Sequence, residues 1–380
     1  MNALPGPDGR PPVVGIVGHA GAYGRWLACF LEQRMGLQVR GSDIAEPGSP
    51  TPAQLARQVD VLVFSVPIRR TVAVIESCIA DADGGRADAL WLDLTSIKQA
   101  PVAAMLRSRA EVAGLHPMSA PPKLETLEGR TMAICRARVA RWGPWLDGLL
   151  AALRADCVEI APAAHDRAMA LVQGLVHAIH LVQADVLRGC AEAAGGMPTL
   201  HALRTVGHEL DLTVTGRILA GNPAIYEDIQ FCNPDVLPVL ERLAEAAASL
   251  RDEVAAGDEA ARTGMRQRFL AEPADWFGAS MLAARSHGFE RMGYLIADLD
   301  APRHLGVYLP EDRPGSLRAL LAVFERLGVN LASIHSSRTP EGELHFRIGL
   351  DRVPVPIARL REEVEGAGIG RVLEARDATA

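Results

Sequence analysis

Val13-Val14-Gly15-Ile16-Val17-Gly18-His19-Ala20-Gly21-Ala22-Tyr23-Gly24 is a short apolar run that passes directly into three glycines, each separated from the next by two residues. An apolar helical pattern continues through Trp26, Leu27, Phe30 and Leu31. Buried strand, glycine turn and helix, in that order, form the context of a dinucleotide-binding fingerprint. Glycines let the backbone approach a pyrophosphate, and the free N–H groups of the helix N-terminus stabilise its charge. The Gly-x-x-Gly-x-x-Gly spacing departs from the commoner Gly-x-Gly-x-x-Gly. A glycine turn without a ligand is the competing reading, and the strand-to-helix context favours a nucleotide. The next strand, Gln38 to Ser42, ends at Asp43, about twenty residues past the glycines, where a carboxylate can accept from ribose hydroxyls and favour NAD over NADP. Arg40 lies close enough in sequence to blur that preference.

Working outward, Val59 to Val66 reads as a further buried strand closed by Pro67, and Leu90 to Leu94 as another, running into Thr95-Ser96-Ile97-Lys98. Strands alternating with helical stretches indicate a doubly wound parallel sheet. Ligands in such sheets bind beyond the carboxyl ends of the strands. Ser65, Asp93, Ser96, Lys98 and His116 all fall at such ends. His116 sits in Gly114-Leu115-His116-Pro117-Met118, where Pro117 biases it towards extended backbone. A neutral imidazole there suits a general base; a structural histidine at a strand end is the alternative.

From Ala163 to about Leu299 the pattern is helix after helix, rich in alanine and leucine. His165-Asp166 opens the first, and Gln173, His177 and His180 follow. Helical periodicity puts Asp166 and His177 on one face. Gly216-Arg217 precedes a helix break at Gly221-Asn222-Pro223, and Tyr226 follows it, so both can face one cleft. Arg217 suits a carboxylate clamp, or a surface pair with Asp211 or Glu227. Trp276 and Phe277 read as core residues, and the remaining helices as packing and dimer surface. A third unit, residues 303–376, carries a β-α-β-β-α-β order of ferredoxin-like type, with a turn at Pro340 to Gly342.

The 380 residues allow two or three domains. A net charge of -7 argues against a nucleic-acid footprint, and no basic run suggests a membrane surface. The six cysteines show no Cys-x-x-Cys pair, so a disulfide framework or zinc site is not expected. Without a signal-like apolar core at the N-terminus, or a later spanning run free of charge or break, a soluble cytoplasmic protein is expected.

Taken together, these motifs resemble prephenate dehydrogenase over roughly residues 12–300. They are the glycine turn, Ser65-Val66-Pro67, Asp93-Leu94-Thr95-Ser96-Ile97-Lys98, Gly114-Leu115-His116-Pro117-Met118, His165-Asp166 with His177, and Gly216-Arg217 with Tyr226. The C-terminal unit looks like an ACT domain, with Arg313-Pro314-Gly315-Ser316-Leu317 and Ile334-His335-Ser336-Ser337-Arg338 similar to its ligand-binding turns. The resemblance implies an α/β Rossmann-like doubly wound NAD-binding domain (residues 12–155), an all-α substrate and dimerisation domain (156–300) and a ferredoxin-like α+β ACT domain (303–376).

It also implies oxidative decarboxylation of prephenate to 4-hydroxyphenylpyruvate by a homodimer. His116 would be the catalytic histidine and Ser96 the serine bonded to it. Arg217, His177, Tyr226 and Lys98 would bind substrate. Gly18, Gly21, Ala22, Tyr23, Gly24, Asp43, Ser65, Val66 and Pro67 would bind NAD. Pro314, Gly315, Ser316, Leu317, Ile334 and His335 would bind an aromatic amino acid effector, tyrosine or phenylalanine. Arogenate dehydrogenase and a non-catalytic sensor of NAD and an amino acid remain the alternatives. The chain departs from the family's pattern at Ser119-Ala120-Pro121-Pro122, where no acid follows, and at Arg69-Arg70.

Overall fold

The apolar runs fold as the sheet they suggest in a computed structural model that describes residues 4–122, 125–299, 304–309, 313–338, 343–350 and 355–376. β1 (Val13–Val17), β2 (Gln38–Ser42), β3 (Val61–Phe64), β4 (Leu90–Asp93), β5 (Glu111–Pro117), β6 (Thr131–Arg138) and β7 (Asp156–Glu159) form one sheet in the order β2-β1-β3-β4-β5-β6-β7. β1 to β5 are mutually parallel, β6 runs antiparallel to β5, and β7 is parallel to β6. The expected all-parallel doubly wound sheet is thus extended by two strands. Helices α1 (Ala22–Gln33) and α5 (Gly143–Leu153) bury Leu27, Phe30, Leu31, Leu146 and Leu149 with Val14, Ile16, Val63 and Leu115. On the opposite face, α2 (Pro52–Gln58), α3 (Ile68–Asp81) and α4 (Gln99–Met105) contribute Leu55, Ile75 and Met105 to a core with Leu62, Phe64 and Trp91. A central strand covered on both faces must be apolar throughout, and this explains the unbroken Val-Leu-Val-Phe and Leu-Trp-Leu runs. The order reverses at β1/β3, and the glycine turn leaves β1 at that switch point.

The helices that follow are α6 (Pro162–Met169), α7 (Val176–Cys190), α8 (Gly196–Ala202), α9 (Val206–Leu219), α10 (Pro223–Cys232) and α11 (Val236–Ala256). A π-helical turn, Ala170–Leu175, joins α6 to α7. The i→i+5 bonding of this turn inserts about one residue relative to an α-helix and rotates the later faces, so Asp166 and His177 do not share a face as the unbroken period suggests. Asp166 turns to the α4 backbone and His177 to Tyr226. By length and composition the run Pro162–Cys190 is apolar enough to cross a membrane, a property the sequence reading did not assign to it. Its buried His165 and Asp166 are tied to the sheet module, while Leu171, Val172, Ile179, Val182 and Val186 lie exposed.

By contacts the chain forms two compact units, Met1–Asp252 and Glu253–Ala380, so the first helices after residue 156 group with the sheet. The reason is that α6 and α10 pack on α4 and α3, joining the first helices to the sheet. The second unit contains α12 (Glu259–Arg266), α13 (Glu272–Phe277) and α14 (Ala279–Leu299). Trp276 and Phe277, read as core, are 81% and 46% exposed and meet edge to face. Next come β8 (His304–Leu309), α15 (Ser316–Arg326), β9 (Leu331–Arg338), β10 (Leu344–Leu350), α16 (Ile357–Gly366) and β11 (Arg371–Arg376). Their antiparallel sheet, ordered β11-β8-β10-β9, has the ferredoxin-like order and closes over Leu305, Val307, Phe324, Ile348, Leu360 and Val364. The expected turn Pro340 to Gly342 lies outside the described residues.

Candidate active site

Between β1 and α1 the chain has no room for side chains at two glycines. A Cβ on Gly18, whose φ is +88°, would lie 2.2 Å from the Ser65 carbonyl oxygen, and one on Gly24 would lie 2.2 Å from that of Gly18. The Ala20 N–H donates to the Asp43 carboxylate at 2.9 Å, so Asp43 braces the glycine turn from the end of β2. Arg40 donates to Gln58 at 3.0 Å, which occupies it on α2. Gly21 precedes the helix, and Ala22, Tyr23 and Gly24 form its first turn, where N–H groups lack helical partners. The cradle fits a dinucleotide's phosphates. Among the described residues, the Tyr23 hydroxyl and Ser119 Oγ are buried with no partner at full hydrogen-bond geometry, although the two interact with each other. Burial pushes the Tyr23 phenol up to about 12, with nearby Ser119 and Arg130 opposing. Ser65 and Val66 are half-buried and Pro67 exposed, in the turn that leads from β3 into α3.

At the end of β5, His116 is 2% exposed. Its Nδ1 lies 2.9 Å from Nε2 of His165, whose Nδ1 lies 2.7 Å from Asp166 Oδ1. The same carboxylate accepts the backbone N–H groups of Lys98 at 2.7 Å and Gln99 at 2.8 Å, capping α4. These partners fix the protons. The carboxylate can only accept, so His165 carries its proton on Nδ1 and presents a lone pair at Nε2. His116 then carries its proton on Nδ1 and leaves Nε2 with a lone pair. Gln173 Nε2, on the π turn, stands 3.4 Å from that atom. Burial, then the Lys98 charge, then His165, hold the His116 imidazole well below its ordinary 6.5. The outcome is a neutral imidazole whose accepting nitrogen is aimed away from its support.

Lys98, expected to touch substrate, is fully buried instead. Its ammonium pairs with Asp93 and donates to the Leu115 carbonyl at 2.9 Å, the residue before His116. Gly114 makes this possible, because a Cβ there would stand 2.9 Å from the lysine Cδ. Asp93 also accepts from the Thr95 hydroxyl at 2.6 Å. Ser96 is half-buried beside this group. Among the described residues His116 bonds to His165 and Gln173, not to Ser96.

On the helical side, the His177 and Tyr226 rings meet edge to face, with centroids 5.0 Å apart. Burial and then His180 lower the His177 pKa, and its Nδ1 is buried without a partner among the described residues. Arg217 is exposed on α9. Its two candidate surface partners are engaged elsewhere: Glu227 with Arg69 at 3.0 Å, Asp211 with His180 at 3.8 Å. α10 is bound to the site at three points. Asn233 donates to the Asp166 carbonyl at 2.8 Å, Gln230 donates to the Gly174 carbonyl at 2.9 Å, and Arg69 reaches Asp228. The sequence reading singled out His165-Asp166 without assigning it to His116. The signal was a histidine and a carboxylate at a helix start, and their target lies 49 residues away in the chain.

In the second unit, Gly315 has φ +98° and immediately precedes α15. Ser316 Oγ accepts the Arg313 N–H at 3.3 Å, closing the turn of Pro314, Gly315, Ser316 and Leu317. On β9, Ile334 is 38% exposed, and His335 stands opposite Arg347 of β10.

Residues 161–267 match the model of the prephenate dehydrogenase dimerization domain, and residues 304–364 match that of the ACT domain. The "4-amino-4-deoxyprephenate dehydrogenase" of Streptomyces pristinaespiralis is 30% identical over 265 residues, 64% of this chain and 85% of that protein. The "Probable arogenate/prephenate dehydrogenase" of Methanocaldococcus jannaschii is 28% identical over 246 residues; the match spans 60% of this chain and about half (53%) of that relative's length. Aquifex aeolicus prephenate dehydrogenase, solved with hydroxyphenyl propionate and NAD+, has the same fold, with a TM-score of 0.53 at 19% identity over 67% of this chain and 95% of that one. The chain belongs to the prephenate dehydrogenase family, with a dimerization domain and a C-terminal ACT domain.

Proposed function

We propose that this chain is an NAD-dependent prephenate dehydrogenase, converting prephenate to 4-hydroxyphenylpyruvate and carbon dioxide. The observation that carries the reading is the Asp166–His165–His116 series, which leaves a neutral Nε2 lone pair at the end of β5. When bound, the nicotinamide supplies the hydride acceptor for the hydrogen on C4 of the substrate ring. His116 Nε2 takes the proton of the 4-hydroxyl as that carbon gains carbonyl character. The imidazolium so formed is stabilised through His165 by the Asp166 carboxylate. Arg217 holds a substrate carboxylate, with His177 and Tyr226 lining the ring pocket and Ser96 reaching the hydroxyl from the end of β4. Lys98 works from behind, fixing the Leu115 carbonyl and keeping His116 unprotonated.

For the cofactor, the glycine cradle braced by Asp43 and the occupied Arg40 support NAD over NADP. The exposed apolar flank of Leu171 to Val186 supports a homodimer that covers it. The turns around Gly315 and Ile334 support an aromatic amino acid effector, tyrosine or phenylalanine.

The test is NADH formation and carbon dioxide release with prephenate, arogenate or 4-amino-4-deoxyprephenate, for the wild-type chain and Arg217→Ala. The reading expects the highest kcat/KM with prephenate, and a raised KM in the variant with cofactor affinity intact. Preference for arogenate would change the substrate assignment, and loss of cofactor binding alone in the variant would remove the clamp role. NAD binding without turnover on any of the three would favour the sensor.

A further inference from the structure

Arg69 is the second residue of α3, directly after the turn Ser65-Val66-Pro67. Its Nε lies 2.6 Å from Asp228 Oδ1 on α10, and its terminal nitrogen 3.0 Å from Glu227 Oε2 and 3.3 Å from the Ala224 carbonyl. Its backbone N–H donates to the other Asp228 oxygen at 3.1 Å. α3 has no side-chain cap of its own, so a carboxylate 159 residues along the chain caps it instead. The Asp228 side chain is 6% exposed, and a carboxylate so buried requires its cation and its donor. Ile68, Ile97 and Ile229 close an apolar seam beside the pair. From there α10 continues to Tyr226, to the π turn through Gln230 and to the relay through Asn233.

We propose that Arg69 and Asp228 are positioning residues, a latch that couples the cofactor turn after β3 to the helix carrying Tyr226. The proposal rests on the cofactor reading above and adds a route by which cofactor and substrate sites sense each other. Anything that orders the Ser65-Val66-Pro67 turn orders the α3 N-terminus, and the bidentate contact passes that order to α10. Coupling of this kind is reciprocal, so substrate contacts at Tyr226 steady the cofactor turn in return. Neither Arg69 nor Asp228 touches the reacting atoms.

The experiment is hydrogen–deuterium exchange on the full chain, wild type against Arg69→Met and Asp228→Asn, with and without NAD. Arg69→Met changes a side chain that is 44% exposed, so it gives a folded variant should Asp228→Asn unfold. Without ligand, losing charge-assisted bonds raises exchange by about tenfold in residues 65–71 and 223–233 together, leaving β4 and β5 unchanged. With NAD, wild type gains protection at the glycine turn and also across 223–233, and the variants gain it at the glycine turn alone. Exchange that rises in one segment only overturns the latch. Protection of 223–233 that persists in the variants, or that wild type never gains although its glycine turn is protected, overturns it too. If NAD protects no part of residues 18–24, the cofactor reading fails, and the ligand-free comparison still decides the latch.

Discussion

Asp166→Asn is the change that interrogates the relay most finely, because it alters one atom in a site of known contacts. The carboxylate accepts from Lys98 N at 2.7 Å, Gln99 N at 2.8 Å and His165 Nδ1 at 2.7 Å. An amide keeps one accepting oxygen and turns the other into a donor. With the oxygen left at the Oδ1 position, the NH2 group faces the Gln99 N–H, donor against donor. The imidazolium forming on His116 then also loses the negative charge behind His165. With the amide reversed, His165 must accept at Nδ1, its proton moves to Nε2, and His116 is left protonated on the nitrogen that should act as base. Either arrangement forfeits a hydrogen bond to a charged group, about 1.5–3 kcal/mol. At 1.36 kcal/mol per decade this is about 10- to 150-fold in kcat. The same conflict lowers stability by about 1–3 kcal/mol, and cofactor affinity is preserved because the glycine turn is untouched. Initial rates of NADH formation, thermal unfolding and an NAD titration read the three quantities. A folded variant turning over within about twofold of wild type would refute the relay.

The pH profile follows from the neutral His116. Its folded pKa lies well below 6.5, so kcat/KM should hold its plateau as the pH falls through 6.5 and decline only below it; an acid limb at or above 6.5 that vanishes with His116 would contradict this. The stability sign is the same: below 6.5 the unfolded chain binds a proton that the folded imidazole refuses, so stability falls from there towards the folded value. Gly18→Ala combines a φ of +88° with a Cβ 2.2 Å from the Ser65 carbonyl, so it should cost at least about 2 kcal/mol and abolish NAD binding; an unchanged melting midpoint and affinity would remove the cradle argument. Ending the chain after residue 300 should eliminate inhibition by tyrosine or phenylalanine, and inhibition that persists would put the effector in the catalytic cleft.

Local pattern carried much of the fold. β1, β3, β4 and the glycine turn were legible because a buried parallel strand must be apolar throughout and only glycine fits against Ser65. β6 and β7 were not: β6 buries only Met132 to Cys135 before running out into Arg-Ala-Arg, and all four residues of β7 are exposed at the sheet's edge, so β7 has no buried period to read. The Asp166–His177 face failed at Ala170–Leu175, because a π turn leaves no mark in a hydrophobic period. Lys98 looked like a ligand-facing cation, since its burial depends on Asp93 and on the absence of a side chain at Gly114. Trp276 and Phe277 looked like core because aromatic residues in helices usually are; in the single chain they lie exposed. His116 stood out through Pro117, but its dependence on His165 is a tertiary fact that no spacing encodes.

The most direct measurement sets wild type beside His116→Asn, with NADH formation from prephenate and NAD affinity determined on the same samples. The account expects turnover by wild type, and in the variant equal NAD affinity with kcat lower by about a thousandfold, within the range for a lost general base. Turnover by the variant comparable to wild type would contradict it.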